Sequence, residues 1–249
     1  MAVWLGLCTG TVLRNGLKRA NRYSFELSQR CYNSVMKLFL SSVEIPTPDV
    51  LAALLGKPLN ETTVALLPNA QDYYSERARL FKINKRVAAM TATGLQVTVI
   101  DLRDYFDAAA LQSTLAKYDL IWAMGGNTFC LRYEMKRSGF DAAIRPLLSK
   151  NIVYGGDSAG ALVVSPSIAG IESADIPEFA EEIVHKGLGL VPYVILPHVD
   201  NADFADALSV VRKLHEGKYK IIELKDSQAV TFQDNIYRLV EGPFNPPAR

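Results

Sequence analysis

Short apolar runs alternate with amphipathic stretches along the chain from Met36 onward. The apolar runs have the length of strands, which are predicted over residues 36–41, 63–67, 96–101, 119–124, 152–155 and 191–197. Helices are predicted between them, over residues 48–55, 71–92, 108–117, 128–137, 140–149 and 203–215. Strands joined by helical crossovers are typical of a parallel sheet covered on both faces.

The last part of the chain has a different pattern. Strands are predicted there over residues 219–224, 229–232 and 236–240, and Asp234 and Asn235 connect the last two as a hairpin. The sequence therefore predicts an α/β fold, a three-layer αβα sandwich. Its sheet is expected to be mostly parallel and flavodoxin-like, with a C-terminal antiparallel edge hairpin.

Charge separates the first 35 residues from the rest. They carry five basic residues against one acid, whereas the whole 249-residue chain has a net charge of only +1. Residues 1–35 are predicted to be a poorly ordered basic extension, with a targeting segment as the alternative, and residues 36–249 a single domain.

Composition excludes several classes of function. No basic stripe for nucleic acid is present, and no apolar run reaches the roughly 18 residues of a membrane span. The spacing of Cys8, Cys31 and Cys130 suits neither zinc nor a disulfide framework, which favours a reducing, cytoplasmic location. No metal or organic cofactor is expected, because neither metal-ligand spacing nor a phosphate-binding loop is found.

Two glycine-containing loops follow predicted strands at the sheet edge where active sites collect. Residues 156–160 spell G-x-S-x-G between a strand and a helix, which exposes Ser158 as a nucleophile and aims the Ala159 N–H at an oxyanion. In the second loop, Gly126 offers another N–H, and Asn127 is a candidate substrate contact or a helix N-cap.

A serine nucleophile needs a base and an acid. His198 follows an apolar run and is the predicted base, whereas His185 and His215 lie in charged surroundings that indicate surface. The acid is sought between Ser158 and His198, where the residues alone leave Glu172 and Asp175 open.

These motifs together resemble the peptidase E or α-aspartyl dipeptidase family, which includes cyanophycinase and has a class I glutamine amidotransferase-like fold. The resemblance spans about residues 36–240 and rests on the opening strand and four motifs, residues 67–70, 125–129, 156–161 and 196–198. It implies a Ser158–His198–Asp175 triad, since Asp175-Ile176-Pro177 is similar to the family's Asp-x-Pro, with Gly126 and Ala159 as oxyanion donors.

The sequence departs from this family in two places. Asp157 stands before the serine where several relatives are neutral, so it is expected to contact substrates and repel anionic ones. After His198 the chain runs Val-Asp-Asn-Ala-Asp-Phe and lacks the Gly-Glu-Thr-Arg segment of aspartyl dipeptidases. The second departure argues against a strict preference for N-terminal aspartate.

The expected function is a serine peptidase that hydrolyses small peptides, dipeptidase-like, through an acyl-enzyme. An esterase of the α/β-hydrolase fold has the same G-x-S-x-G turn, the nucleophile elbow, but the chain after Ser158 leaves little room for the rest of that fold. Glutamine amidotransferases have a cysteine at the position of Ser158. A catalytically degenerate binding scaffold is the non-enzyme alternative. The expected partner is a small peptide, not nucleic acid or a membrane, and a homodimer is left open.

Overall fold

The computed structural model describes residues 36–233 and 236–243. The strands in this part of the chain are β1 Leu38–Ser41, β2 Thr63–Leu67, β3 Gln96–Val99, β4 Leu120–Ala123, β5 Val153–Asp157, β6 Tyr193–Leu196, β7 Lys220–Glu223, β8 Gln228–Gln233 and β9 Ile236–Glu241. Each predicted strand is found, with ends that differ by a few residues.

The helices also follow the prediction closely. They are α1 Pro48–Leu55, α2 Glu76–Ala92, α3 Ala108–Leu115, α4 Thr128–Arg137, α5 Phe140–Leu148, α6 Ala159–Leu162 and α7 Ala205–His215. Two begin later than expected. The 3-10 turn Asn69–Gln71 and a non-helical turn over residues 72–75 precede α2, and the 3-10 turn Ala202–Phe204 precedes α7.

The central sheet has seven strands in the order β3-β2-β4-β5-β1-β8-β9. The first five are parallel, and β8 and β9 pair antiparallel at one edge. The predicted α/β fold with a mostly parallel sheet is therefore confirmed. Because β4, β5 and β1 are parallel neighbours, the loops that follow them meet at one edge of the sheet.

The strands β6 and β7 depart from the expected single sheet. They pair with each other in parallel, Leu196 opposite Glu223, and form a separate two-stranded sheet with α7 as the crossover between them. Their carboxyl ends therefore lie side by side, which brings the residues that follow Leu196 and Glu223 together.

Alternate residues of the central strands enter two different hydrophobic clusters. In β2, Ala65 and Leu67 belong to one cluster and Val64 and Leu66 to the other, and all four are fully buried. A strand covered on both faces must be apolar at every position. This requirement explains why the apolar runs in the sequence are continuous.

Some predictions lie outside the described residues. These are the basic extension over residues 1–35, with Cys8 and Cys31, and the hairpin turn at Asp234 and Asn235. Among the helices that the structure does describe, none combines the length and the apolar character required to traverse a bilayer.

Asp119 connects the starts of β2 and β4 and gives a test of the fold's stability. Burial acts to raise the pKa of Asp119, but hydrogen bonds from Lys57 and Thr63 outweigh it and hold this pKa below its ordinary value. We expect Asp119→Asn to lower the free energy of unfolding at pH 7 by about 1 kcal/mol, a value limited by solvent screening.

The difference in the free energy of unfolding between Asp119→Asn and the wild type should shrink as the pH falls through the depressed pKa of Asp119. A protonated Asp119 has no charge, so its ion pair with Lys57 and its charge-assisted hydrogen bonds with Thr63 are lost. Urea unfolding between pH 7 and pH 2–3 measures this difference. Glu61→Gln, an exposed substitution near the same edge, is the control and should change little. A constant difference across the pH range would contradict the prediction.

Candidate active site

Ser158 lies in a turn that admits only small neighbours. It sits between β5 and α6 with φ 50° and ψ −111°, in the strained conformation of a nucleophile elbow. A Cβ on Gly160 would lie 2.1 Å from the carbonyl oxygen of Ala123, and one on Gly156 would lie 2.6 Å from the backbone of Gly160. The glycines are required because α6 starts directly against β4 and β5.

His198 reaches Ser158 from the end of β6. Its Nε2 lies 2.9 Å from Ser158 Oγ, and its backbone, at φ 64°, donates its N–H to Ser42 Oγ at 2.8 Å. The ring of Phe204 stacks on the imidazole, with centroids 4.6 Å apart. The predicted pairing of the serine with this histidine is therefore present in the structure.

Asp226 is the carboxylate bound to the histidine. Its Oδ1 lies 2.6 Å from His198 Nδ1, and it also accepts a hydrogen bond from Ser42 Oγ at 3.1 Å. The backbone N–H of Asp226 donates to Asp200 Oδ1 at 2.8 Å. With a carboxylate on Nδ1, that nitrogen carries the proton, and Nε2 is free to accept the proton of Ser158.

The acids expected from the sequence lie elsewhere, and this expectation is corrected. Asp175 Oδ2 accepts hydrogen bonds from the backbone N–H of Thr128, at 2.8 Å, and from its hydroxyl. Glu172 bonds to His185 at 2.9 Å and to the N–H of Gly170. The expected acids precede His198 in the chain, whereas Asp226 follows β7, the parallel neighbour of the strand that ends before the histidine. That pairing is the signal that could have found it.

His215 was expected at the surface and is buried instead, with 3% of its area exposed. It ends α7, and its Nε2 lies 2.9 Å from the carbonyl oxygen of Ala169. His185 is exposed, as expected, and pairs with Glu172. Charged neighbours in the sequence did not indicate exposure, because one side of an amphipathic helix still faces the core.

Two backbone N–H groups lie where an oxyanion site is expected. Gly126, at φ 139°, and Ala159 both line the cavity beside Ser158, and neither N–H donates to any other described residue. A Cβ on Gly126 would lie 2.3 Å from the carbonyl oxygen of Ala70. Gln71 Nε2 also donates to the carbonyl oxygen of Gly125, which fixes this loop.

Asn127 caps a helix and does not line the cavity. It is 3% exposed, and its Oδ1 accepts from the N–H groups of Phe129 and Cys130 at 3.0 Å. Its Nδ2 donates to the carbonyl oxygen of Ile176 at 2.9 Å. The structure therefore supports the helix-cap interpretation of Asn127 and corrects the expected substrate contact.

Cys130 is not a competing nucleophile. Burial, with smaller contributions from nearby carboxylates, raises the pKa of its thiol to about 12. A thiol with this pKa stays protonated at neutral pH, and the thiolate is the reactive form.

Comparison with known proteins identifies the family. The sequence model that describes peptidase family S51 matches residues 42–240 of this chain. The chain belongs to peptidase family S51. It is therefore a serine peptidase, and its relatives include proteins named peptidase E.

Individual relatives agree with this assignment. An uncharacterized peptidase of Listeria innocua is 32% identical over 188 residues, which cover 74% of this chain and 88% of the relative. Peptidase E of Salmonella arizonae is 34% identical over 159 residues, 64% of this chain and 62% of the relative.

Solved structures show the same fold. A crystal structure assigned to peptidase E of Listeria monocytogenes EGD-e matches with a TM-score of 0.71 and 27% identity, covering 84% of this chain and 99% of that one. A peptidase from an acI-B1 Actinobacterium, at 15% identity and a TM-score of 0.63, covers 84% of this chain and 88% of its own. At that identity the second match shows the fold alone.

Asp157 of this S51 peptidase is buried beside Ser158, with 3% of its area exposed, rather than exposed to substrate. Its carboxylate accepts hydrogen bonds from Trp122 Nε1 at 2.8 Å and from the N–H of Gly125 at 3.1 Å. Arg86 pairs with it at 2.9 Å. The expectation that Asp157 contacts and repels anionic substrates is corrected, because the guanidinium of Arg86 compensates its charge inside the protein.

The pair of Arg86 and Asp157 predicts a large stability effect. The two side chains are only 14% and 5% exposed, so removing one partner leaves a buried charge uncompensated. We expect Arg86→Met to lower the free energy of unfolding by about 3 kcal/mol, measured by urea unfolding.

The double variant Arg86→Met/Asp157→Asn should recover part of this loss, since it removes both charges. Arg77→Met, an exposed substitution on the same helix α2, serves as the control. If Arg86→Met destabilised the peptidase no more than Arg77→Met, the buried pair would have no such role.

Proposed function

We propose that this S51 peptidase hydrolyses small peptides through a triad of Ser158, His198 and Asp226. The observation that carries the proposal is the continuous chain of hydrogen bonds from Ser158 Oγ to His198 Nε2, at 2.9 Å, and from His198 Nδ1 to Asp226 Oδ1, at 2.6 Å. Nucleophile, base and orienting acid at these distances are the arrangement that activates a serine.

The reaction begins when Ser158 Oγ attacks the carbonyl carbon of the scissile amide. His198 Nε2 takes the hydroxyl proton, and Asp226 stabilises the resulting imidazolium. The carbonyl oxygen becomes an oxyanion, which the N–H groups of Gly126 and Ala159 are positioned to bind. Each donor of this kind contributes roughly 10²–10³-fold to the rate.

Collapse of this intermediate breaks the amide bond. The imidazolium of His198 returns its proton to the leaving amine, and the acyl group stays on Ser158 as an ester. His198 then activates a water that attacks the ester, and the second tetrahedral intermediate releases the acid and restores the serine.

Stacking and hydrogen bonds prepare His198 for these steps. Phe204 covers one face of the ring, and Ser42 receives the N–H of His198 while it donates to Asp226. The imidazole is therefore held in one orientation before substrate arrives, which reduces the cost of reaching the transition state.

Labelling with a fluorophosphonate probe tests the triad directly. The wild type should be labelled and Ser158→Ala should not, because only an activated serine reacts with the probe. Asp226→Asn should slow labelling and peptide hydrolysis by roughly 10³–10⁴-fold, since the amide fails to hold the required tautomer of His198. The readouts are the labelling rate and kcat/KM.

Asp203→Asn is the matched control, because Asp203 is an exposed acid on the segment that follows His198. Its labelling rate should equal that of the wild type. Labelling that survives in Ser158→Ala, or an Asp226→Asn variant as fast as Asp203→Asn, would overturn the assignment.

A further inference from the structure

A cavity of about 300 Å³ opens beside Ser158 and has an apolar wall. The wall consists of Leu162, Ile171, Leu196, Phe204 and Leu208. Four of these side chains belong to one hydrophobic cluster of the protein, and Phe204 packs against it. An apolar side chain placed here leaves water for an apolar surface, so this wall favours a hydrophobic substrate residue.

The carboxylate of Asp175 lies in the same cavity, and no lysine or arginine in the described part of the chain pairs with it. Its Oδ2 is held by the N–H and the hydroxyl of Thr128, whereas its Oδ1 accepts no hydrogen bond from any described residue. Burial raises the pKa of Asp175 above its ordinary value, although the bonds from Thr128 and the charge of His198 act in the opposite direction. A carboxylate withdrawn from water in this way gains from a cationic ligand.

The described lining of the cavity has no permanently charged cation for a negative group on the substrate's side chain. Among the described residues that line it there is neither lysine nor arginine. The segment after His198 also supplies no cation to the cavity among its described contacts. Phe204 stacks on the imidazole of His198, and Asp200 accepts a hydrogen bond from the backbone N–H of Asp226. Arg86, which pairs with the residue before Ser158, is committed to the buried Asp157.

The position of Asp175 favours an α-ammonium over a side-chain ammonium. Thr128, whose N–H binds the carboxylate, is two residues beyond Gly126, so their Cα atoms are at most roughly 7 Å apart. Asp175 therefore lies close to the oxyanion site. In an N-terminal residue the ammonium is attached to the carbon next to the scissile carbonyl, whereas a lysine side chain places it four methylenes further away.

We propose that this cavity binds the N-terminal residue of a peptide, with an apolar side chain against the wall and its free α-ammonium on Asp175 Oδ1. The substrates would be peptides with a residue such as leucine at the N-terminus, not aspartyl peptides. The inference rests on the proposed function, because Ser158 must attack the carbonyl of that same residue.

Four p-nitroanilides test the proposal on the wild-type peptidase: leucyl, Nα-acetyl-leucyl, aspartyl and lysyl. We expect kcat/KM for the leucyl substrate to exceed each of the others by about tenfold or more, the size of effect of one charge-assisted hydrogen bond. A preference for the aspartyl or lysyl substrate, or equal rates with and without the acetyl group, would overturn it.

Asp175→Asn adds a second measurement. It should raise KM for the leucyl substrate by about tenfold and remove the discrimination against the acetylated one, because the neutral amide no longer pairs with the ammonium. Glu178→Gln, an exposed substitution on the same loop, should retain both properties. An Asp175→Asn variant that still prefers the leucyl substrate over the acetylated one would contradict the role proposed for Asp175.

The fluorophosphonate probe separates failure of this inference from failure of the triad, because the probe carries no ammonium. Serine-dependent labelling together with the wrong substrate preference overturns the cavity assignment alone. Loss of labelling in the wild type overturns the proposed function. A KM effect in Asp175→Asn with unchanged labelling distinguishes a binding role from a structural one.

Discussion

The close contact between α6 and the central sheet is the constraint on which the rest of the site depends. Gly160 lies so near the carbonyl oxygen of Ala123 that no side chain fits between them, and Gly156 is confined in the same way. This contact forces Ser158 into its strained backbone and lifts its hydroxyl out of the turn toward His198. The N–H of Ala159 is then left facing the cavity.

Three carboxylates surround this one serine, and their partners give them different properties. Asp157 is buried against Arg86 and fixes the loop that carries Gly126, by accepting the N–H of Gly125. Asp226 lies on the imidazole of His198. Asp175 has no cationic partner among the described residues and lines the cavity. The same chemical group is thus paired with a guanidinium, bonded to an imidazole or left without a cationic partner among the described residues, according to what lies beside it.

The small sheet of β6 and β7 contributes as much to the site as the central sheet does. Parallel pairing places the ends of these strands together, so His198 and Asp226 meet although 27 residues separate them along the chain. The central sheet supplies the serine, the glycine loop and Ser42, which joins the two parts by its bonds to His198 and Asp226. The hydrogen bonds that hold His198 therefore come from both sheets.

The sequence by itself determined the elements, the α/β class, the serine and its histidine, because these follow from local spacing: apolar runs, helix ends and glycines around Ser158. Only the tertiary structure decided the carboxylates. Nothing local distinguishes Asp226 from Asp175 or Glu172, since each is a loop acid whose role depends on which strand ends beside it. The burial of Asp157 and His215 was likewise decided by long-range packing, which residue spacing along one chain does not encode.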